Sequence, residues 1–538
     1  MIKTLLILLA FGVITHPLYS QYEDNSNEPH AIFLKPFHFS GQSLLDASVF
    51  TNQDLSGNSF PQNEPSVRIS TKNPNIIVAA WRDFRLGVSP AERRIGYTRS
   101  TDGGLTWAVS QLLPDPNPDH DSQSDPVIAC DSAGDFYISS TSRQPVSGFN
   151  REMLIYKSTN DGQTFSYFST AVPGSGGAGE DKEWIFCDPV QTNTTYNNIF
   201  ISWTSFGPSR GIKFRKSSNS GLNWTSTVSV STSTSAQGSN VCSGTNGEIY
   251  IVWWQSGIRF DKSTNGGTSF GTDQTISSVS SSSNGSFPFI CVDYSNGARR
   301  GDVYVVFADE RGGNEDVWFQ RSTDAGATWL ANPIRVNDVT TGDQFWPVVR
   351  CDANGDLYVV YYDQRSGFNS YIARSTDGGN TWLNDRLSDV SFFGNTPNSD
   401  VRYGDYINMD VYNGRVVPVW TDDRAGGDNQ EIYSAIVDFP AGITHNPNVT
   451  PGSYRLYQNY PNPFNPSTLI KFDIPERAFV SLTIYDAVGR EIGSPIRSVL
   501  SAGGYSIEWN AGGLSSGVYF YRINAGNFSE IKKMLLIK

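Results

Sequence analysis

One eight-residue phrase occurs six times in this chain. It reads STDGGLTW at Ser100–Trp107, STNDGQTF at Ser158–Phe165, SSNSGLNW at Ser217–Trp224, STNGGTSF at Ser263–Phe270, STDAGATW at Ser322–Trp329 and STDGGNTW at Ser375–Trp382. The copies begin 46 to 59 residues apart. A period of that size, filled with strand-like runs, points to an all-β propeller whose blades have four strands. The composition agrees. Only 17% of the 538 residues are charged and 13% are aromatic, while Gly, Ser, Asn and Thr are plentiful, as in short strands joined by tight turns.

A second landmark sets the number of units. Short apolar runs end at Ile69, Cys130, Cys187, Cys242, Cys291, Cys351 and Met409. Each is followed by a turn and another strand, as in CDSAGDFYISS and CDANGDLYVVYY, where Gly before an acidic residue marks a hairpin. This counts seven units, with a six-bladed ring and an irregular remainder as the alternative. The seventh unit, from Tyr406 to about Asp438, lacks the phrase and a fourth strand. SLLDASVF (Ser43–Phe50) is the expected donor of that strand, which would close the ring and remove its open sheet edges. The five cysteines recur at one register, so each is expected to be a small buried residue rather than a disulfide or metal ligand.

Each residue of the phrase has a folding job on the turn between a blade's third and fourth strands. Asp or Asn accepts hydrogen bonds from the turn backbone, Gly takes positive φ, and the closing Trp or Phe packs between sheets. The phrase resembles the Asp box of sialidases and related propellers. That resemblance implies a scaffold role on the face opposite the family's active site.

Function is therefore sought on the other face, where second strands end and blades join. There Asp-x-Arg recurs as Asp83/Arg85, Asp309/Arg311, Asp363/Arg365 and Asp422/Arg424. A guanidinium fork matches a carboxylate or a sulfated or uronic sugar, so these arginines are candidate ligand contacts. Alternatively each pair is internal to its own blade or ties it to the next. Glu64, Asp125, Glu183 and Asp405, in the inter-blade links, face the same side and can bind sugar hydroxyls or cap strands.

The sialidase resemblance implies an arginine triad, a tyrosine nucleophile helped by a glutamate, and an acid/base aspartate. VRIS (Val67–Ser70) is similar to the family's Phe-Arg-Ile-Pro and supplies Arg68; Asp83-Phe-Arg85 is similar to the Asp-x-Arg that follows it. Arg311, Arg365 and Arg424 are candidates for the remaining triad members. GDYINMDV places Tyr406 as the candidate nucleophile; no single glutamate stands out as its helper, with Glu183 the candidate, and SPAERR offers only Glu92 where an acid/base aspartate is expected.

No cofactor is expected, although the carboxylate-rich PDPNPDHDSQSD (Pro114–Asp125) offers Ca²⁺ the oxygen ligands it prefers; a solvated acidic loop is the alternative. A net charge of −13 argues against nucleic acid as partner. Residues 1–20 read as a secretory signal peptide, and no later run is long enough to be a transmembrane segment. The propeller is assigned to residues 41–440 and a Pro/Asn/Thr linker to 441–453. Residues 454–538 read as a small Ig-like β-sandwich. YPNPFNPST, GVYFYRI and the basic, apolar end make that module resemble the type A sorting domain of type IX secretion. The resemblance implies export across the outer membrane to the cell surface or the medium, with the secretion machinery as partner. The cargo is then a propeller that binds a glycan or a surface protein, or a sialidase-type glycoside hydrolase acting on an acidic sugar.

Overall fold

A computed structural model describes residues 50–538, apart from 116–119, 121, 145–149, 175–178, 283–286, 395–402, 427–428, 440–442, 447–450, 477 and 501. The signal-peptide reading of residues 1–20 lies outside them.

The chain is all-β, with nine sheets among the described residues. Seven follow one another up to Asp438, and six of these are four-stranded meanders in chain order. Their inner strands are Gln62–Ile69, Ser122–Cys130, Glu180–Cys187, Gln237–Ser243, Phe289–Val292, Gln344–Cys351 and Asn408–Tyr412. Each inner strand packs on the next, and the last packs back on the first, so the seven sheets form a closed ring. Second strands such as Ile77–Asp83 and Leu357–Asp363 are buried along their whole length, and they read as continuous apolar runs for that reason. All five cysteines are free; four are buried and Cys351 is half-buried.

The seventh sheet takes its outer strand from the N-terminal side. Asn52–Asp54 pairs antiparallel with Glu431–Ala435. This strand lies just after the expected Ser43–Phe50; residues 43–49 lie outside the described ones.

The repeated phrase acts inside each turn and between sheets. In the first copy, Ser100 Oγ donates to Asp102 at 2.7 Å and accepts from the Gly104 amide at 2.8 Å, while Asp102 accepts from the Thr106 amide and hydroxyl at 2.9 and 2.6 Å. Those bonds, led by the Thr106 hydroxyl, pull the Asp102 carboxyl down to about 2. The closing aromatic then packs on the third strand of the preceding sheet: Phe165 on Tyr97, Phe270 on Phe214, Trp329 on Phe260 and Trp382 on Phe319, with ring centres 5.0–5.3 Å apart. Gly379 needs both of its glycine properties. Its φ is +87°, and a Cβ there would lie 2.3 Å from the Phe319 ring. In these four sheets the phrase is thus a staple to the preceding sheet.

Two further four-stranded sheets form the C-terminal sandwich around a core that includes Ile470, Phe472, Leu482, Tyr521 and Met534. Ile443–Asn446, within the segment read as linker, pairs with Gly503–Asn510 as an edge strand of this unit. The YPNPFNPST segment holds the final strand, Phe528–Leu536. The Phe464 amide donates to the Leu535 carbonyl and its carbonyl accepts from the Ile537 amide, both at 3.0 Å, while Asn462 Oδ1 accepts from the Leu535 amide at 3.0 Å.

Candidate functional site

The Asp-x-Arg turns are closed ion pairs. Arg85 donates to Asp83 at 2.9 and 2.6 Å, Arg365 to Asp363 at 2.9 and 2.8 Å, and Arg424 to Asp422 at 2.9 and 2.6 Å; Arg311 holds Asp309 in the same way, with Nε at 2.7 Å. In each, the arginine amide also donates to the aspartate. Three of the guanidinium groups stack on third-strand aromatics, 4.9 Å from the Trp318 ring, 4.2 Å from Tyr371 and 3.9 Å from Tyr433. Remaining donors reach Ser110, Ser278, Asp338 and Asp389. The buried bidentate pairing joins the end of the second strand to its own turn, and the four arginines stay in four separate sheets.

Arg68 lies elsewhere. It pairs with Asp410 at 3.2 Å, and the same carboxylate accepts from the Ile69 amide at 2.8 Å and faces Arg350 at 3.7 Å. Glu92 ends the short 3-10 turn Pro90–Glu92, is exposed, and accepts from the Ser89 amide and hydroxyl at 3.2 and 2.6 Å.

The inter-blade carboxylates converge. Near its start, each inner strand of sheets one, two, three and six carries an extra residue at positive φ: Glu64 (54°), Asp125 (53°), Lys182 (52°) and Trp346 (52°). A bulge of this kind interrupts the ladder and re-aims its side chain. The Lys182 ammonium sits 3.0 Å from Asp125 and 3.9 Å from Glu64, contacts Asp405, and lies 5.3 Å from the Tyr406 ring centre. Arg82 pairs with Glu64 at 3.4 Å from behind and donates to Asn63 Oδ1 at 2.7 Å.

Burial pushes the Glu64 carboxyl up to about 8, against the pull of Arg82. Burial and then the nearby Asp125 raise Glu183 well above the usual carboxylate range. Burial alone would pull the Lys182 ammonium down, yet Asp125, Asp405 and Glu64 together hold it well above the ordinary lysine value. Burial, reinforced by Asp125, Glu64 and Glu183, likewise raises the Tyr406 hydroxyl.

Beside this cluster a pocket encloses about 510 Å³, counting the solvent at its mouth, and is lined from the inner-strand region of five sheets. Half-buried Trp184 and Phe287 form part of its apolar wall, with Trp184 edge-on to Phe289 at 4.7 Å. Three of its polar atoms are buried without a hydrogen-bond partner among the described residues: Glu183 Oε1, Asn240 Nδ2 and the Tyr406 hydroxyl. Their residues are otherwise anchored. Thr141 donates to Glu183 Oε2 at 2.6 Å, and the Ile290 amide donates to Asn240 Oδ1 at 3.3 Å.

The structure therefore brings Tyr406 and Glu183 together, with Glu64, Asp125 and Asp405, and leaves Arg68, Arg85, Arg311, Arg365, Arg424, Asp83 and Glu92 outside that group. Lys182, Asn240 and Trp184 were not singled out from the sequence. A signal for Lys182 exists, because it stands five residues before its landmark Cys187, as Glu64 and Asp125 stand before theirs. In the acidic stretch Pro114–Asp125, residues 116–119 and 121 lie outside the described ones; Asp115 pairs with Arg94 at 2.9 Å and Asp125 belongs to the Lys182 cluster. Among the described residues no group of three or more His, Cys, Asp or Glu side chains is placed to hold a metal ion.

Residues 458–538 match the secretion system C-terminal sorting domain. That match marks the chain for type IX secretion to the cell surface or the extracellular space, and makes the secretion machinery its partner. No curated protein sequence matches the chain. Among solved structures, the chain is similar to a protein of unknown function from Dyadobacter fermentans (13% identity, 72% of this chain and 98% of that one, TM-score 0.44). It is also similar to a leech intramolecular trans-sialidase (12%, 66% and 71%, 0.44) and to a Penicillium chrysogenum alpha-L-arabinanase (13%, 74% and 99%, 0.43).

Proposed function

We propose that this chain is an exported propeller that binds a glycan in the pocket at the mouth of its ring. The observation that carries the reading is the set of three unpaired buried polar atoms, on Glu183, Asn240 and Tyr406, that line one pocket. Leaving a buried polar atom unpaired costs about 1–3 kcal/mol, and native proteins rarely do so without cause. Here the unpaired atoms stand beside the aromatic faces of Trp184 and Phe287. Polar atoms converging beside an apolar wall suit a ligand with hydroxyls on its edge and C–H groups on its face, which describes a sugar ring.

The test is a glycan array probed with the exported protein and with its Asn240→Ala and Trp184→Ala variants. The expected outcome is a set of glycans held by the wild type and held at least tenfold more weakly by each variant. Retention of no glycan by the wild type overturns the reading.

One observation favours hydrolysis as a second reading: Tyr406 and Glu183 line the same pocket. Turnover of fluorogenic glycosides that disappears in Tyr406→Phe would establish it. The candidate arginines weigh against a sialidase, since each is already paired with a carboxylate of its own.

A further inference from the structure

Resting on the glycan reading of this pocket, we infer that its ligand is an uncharged saccharide, and that the pocket discriminates against both acidic and amino sugars. Three carboxyl groups, Glu64, Asp125 and Asp405, hold two cations, Lys182 and Arg82, and a fourth, Glu183, stands close enough to Asp125 to feel its charge. Neither cation is free to receive an anion. Lys182 is held by Asp125, Asp405 and Glu64, and Arg82 by Glu64 and Asn63. A ligand carboxylate entering here would meet Asp125 and Asp405, with both Lys182 and Arg82 already engaged among the described residues, in a site where burial keeps screening weak.

A ligand ammonium fares no better. The place it would take, among carboxylates and over the Tyr406 ring, is already filled by the Lys182 ammonium, which would repel a second one. The groups left open are an amide donor on Asn240, a phenol that donates and accepts, and one oxygen of a carboxyl whose proton is favoured by burial. That set matches hydroxyl groups, which also donate and accept.

The experiment compares matched ligands that differ only in charge: glucosides with glucuronides, galactosides with galacturonides, lactose with 3′-sialyllactose, and glucose with glucosamine. Binding to the full exported chain is measured by titration calorimetry at pH 7.5. The neutral member of at least one pair is expected to bind at least tenfold more tightly, and Asn240→Ala to weaken it. Tyr406→Phe, which keeps the ring and removes one hydroxyl, covers the case in which Asn240→Ala does not fold. A charged member bound as tightly as its neutral counterpart, through a site that Asn240→Ala or Tyr406→Phe weakens, overturns the inference and leaves the glycan reading standing. Binding of no member of any pair overturns the glycan reading itself.

Discussion

Two sets of buried carboxylates occupy the same end of the ring, since inner strands begin where second strands end, as the pairing of Gln62 with Asp83 shows. At the Asp-x-Arg turns, Asp83, Asp309, Asp363 and Asp422 each have a private arginine, two side-chain bonds from it and a backbone amide. At the mouth, three carboxyls share one lysine, one of them also pairs with an arginine, and polar atoms of the neighbouring pocket find no partner among the described residues. The repeated element is electrostatically complete and serves the scaffold. The element that differs from sheet to sheet is incomplete, and it is these open polar groups that the proposed ligand would meet.

The sharpest way to break this contrast is Lys182→Met. Removing the shared cation leaves Asp125, Asp405 and Glu64 facing one another, and stability is expected to fall by about 3–5 kcal/mol, read from the urea midpoint. Asp363→Ala strands Arg365, which keeps Asp338 as a partner; it should cost about 2 kcal/mol and leave glycan retention unchanged. Tyr406→Phe should do the reverse. It removes an unpaired hydroxyl, so stability is unchanged or raised by up to about 1 kcal/mol, while retention on the array falls. If Asp363→Ala abolishes binding, or Tyr406→Phe destabilises the fold by as much as Asp363→Ala, the division between scaffold and site is wrong.

The smallest effect is a pH slope. Glu64 sits at about 8 in the fold against an ordinary value of 4.5, so the folded chain keeps a proton that the unfolded chain loses. Its contribution is full below about pH 4.5 and is lost as pH rises through 8. Asp102 and Asp324, lowered to about 2 chiefly by the hydroxyls of Thr106 and Thr328, act in the opposite sense: their stabilisation is present above about pH 3.8 and is lost as pH falls through 2. The melting temperature should therefore decline from pH 5 to pH 8.5, and Glu64→Gln should flatten that decline.

Much of the scaffold is legible in the linear chain because it is local and repeated. The bonds that define the phrase run from Ser100 to Asp102 and Gly104, and from Asp102 to Thr106, all within one turn. The Asp-x-Arg pairs are two residues apart, and their being internal to one sheet was one of two readings the sequence left open. The YPNPFNPST segment is recognisable by itself, although its partner, the final strand, lies some seventy residues on.

The mouth was legible only in fragments. Glu64, Asp125, Glu183 and Asp405 could be assigned to one face by their place in the repeat, and Tyr406 by resemblance. Which of them meet is decided by the closure of the ring, because Lys182 in the third sheet reaches Asp125 in the second, Glu64 in the first and Asp405 in the seventh. No local rule links residues more than two hundred positions apart in the chain, as Lys182 and Asp405 are. The sequence alone determined the period, the phrase, the export module and the kinds of groups available on each face, since those depend on neighbouring residues and hydrophobic pattern. Tertiary structure alone decided which charges are paired and which polar atoms stay open. Pairing depends on where bulged strands aim their side chains once the ring is closed, and burial then sets how strongly each unpaired group seeks a partner.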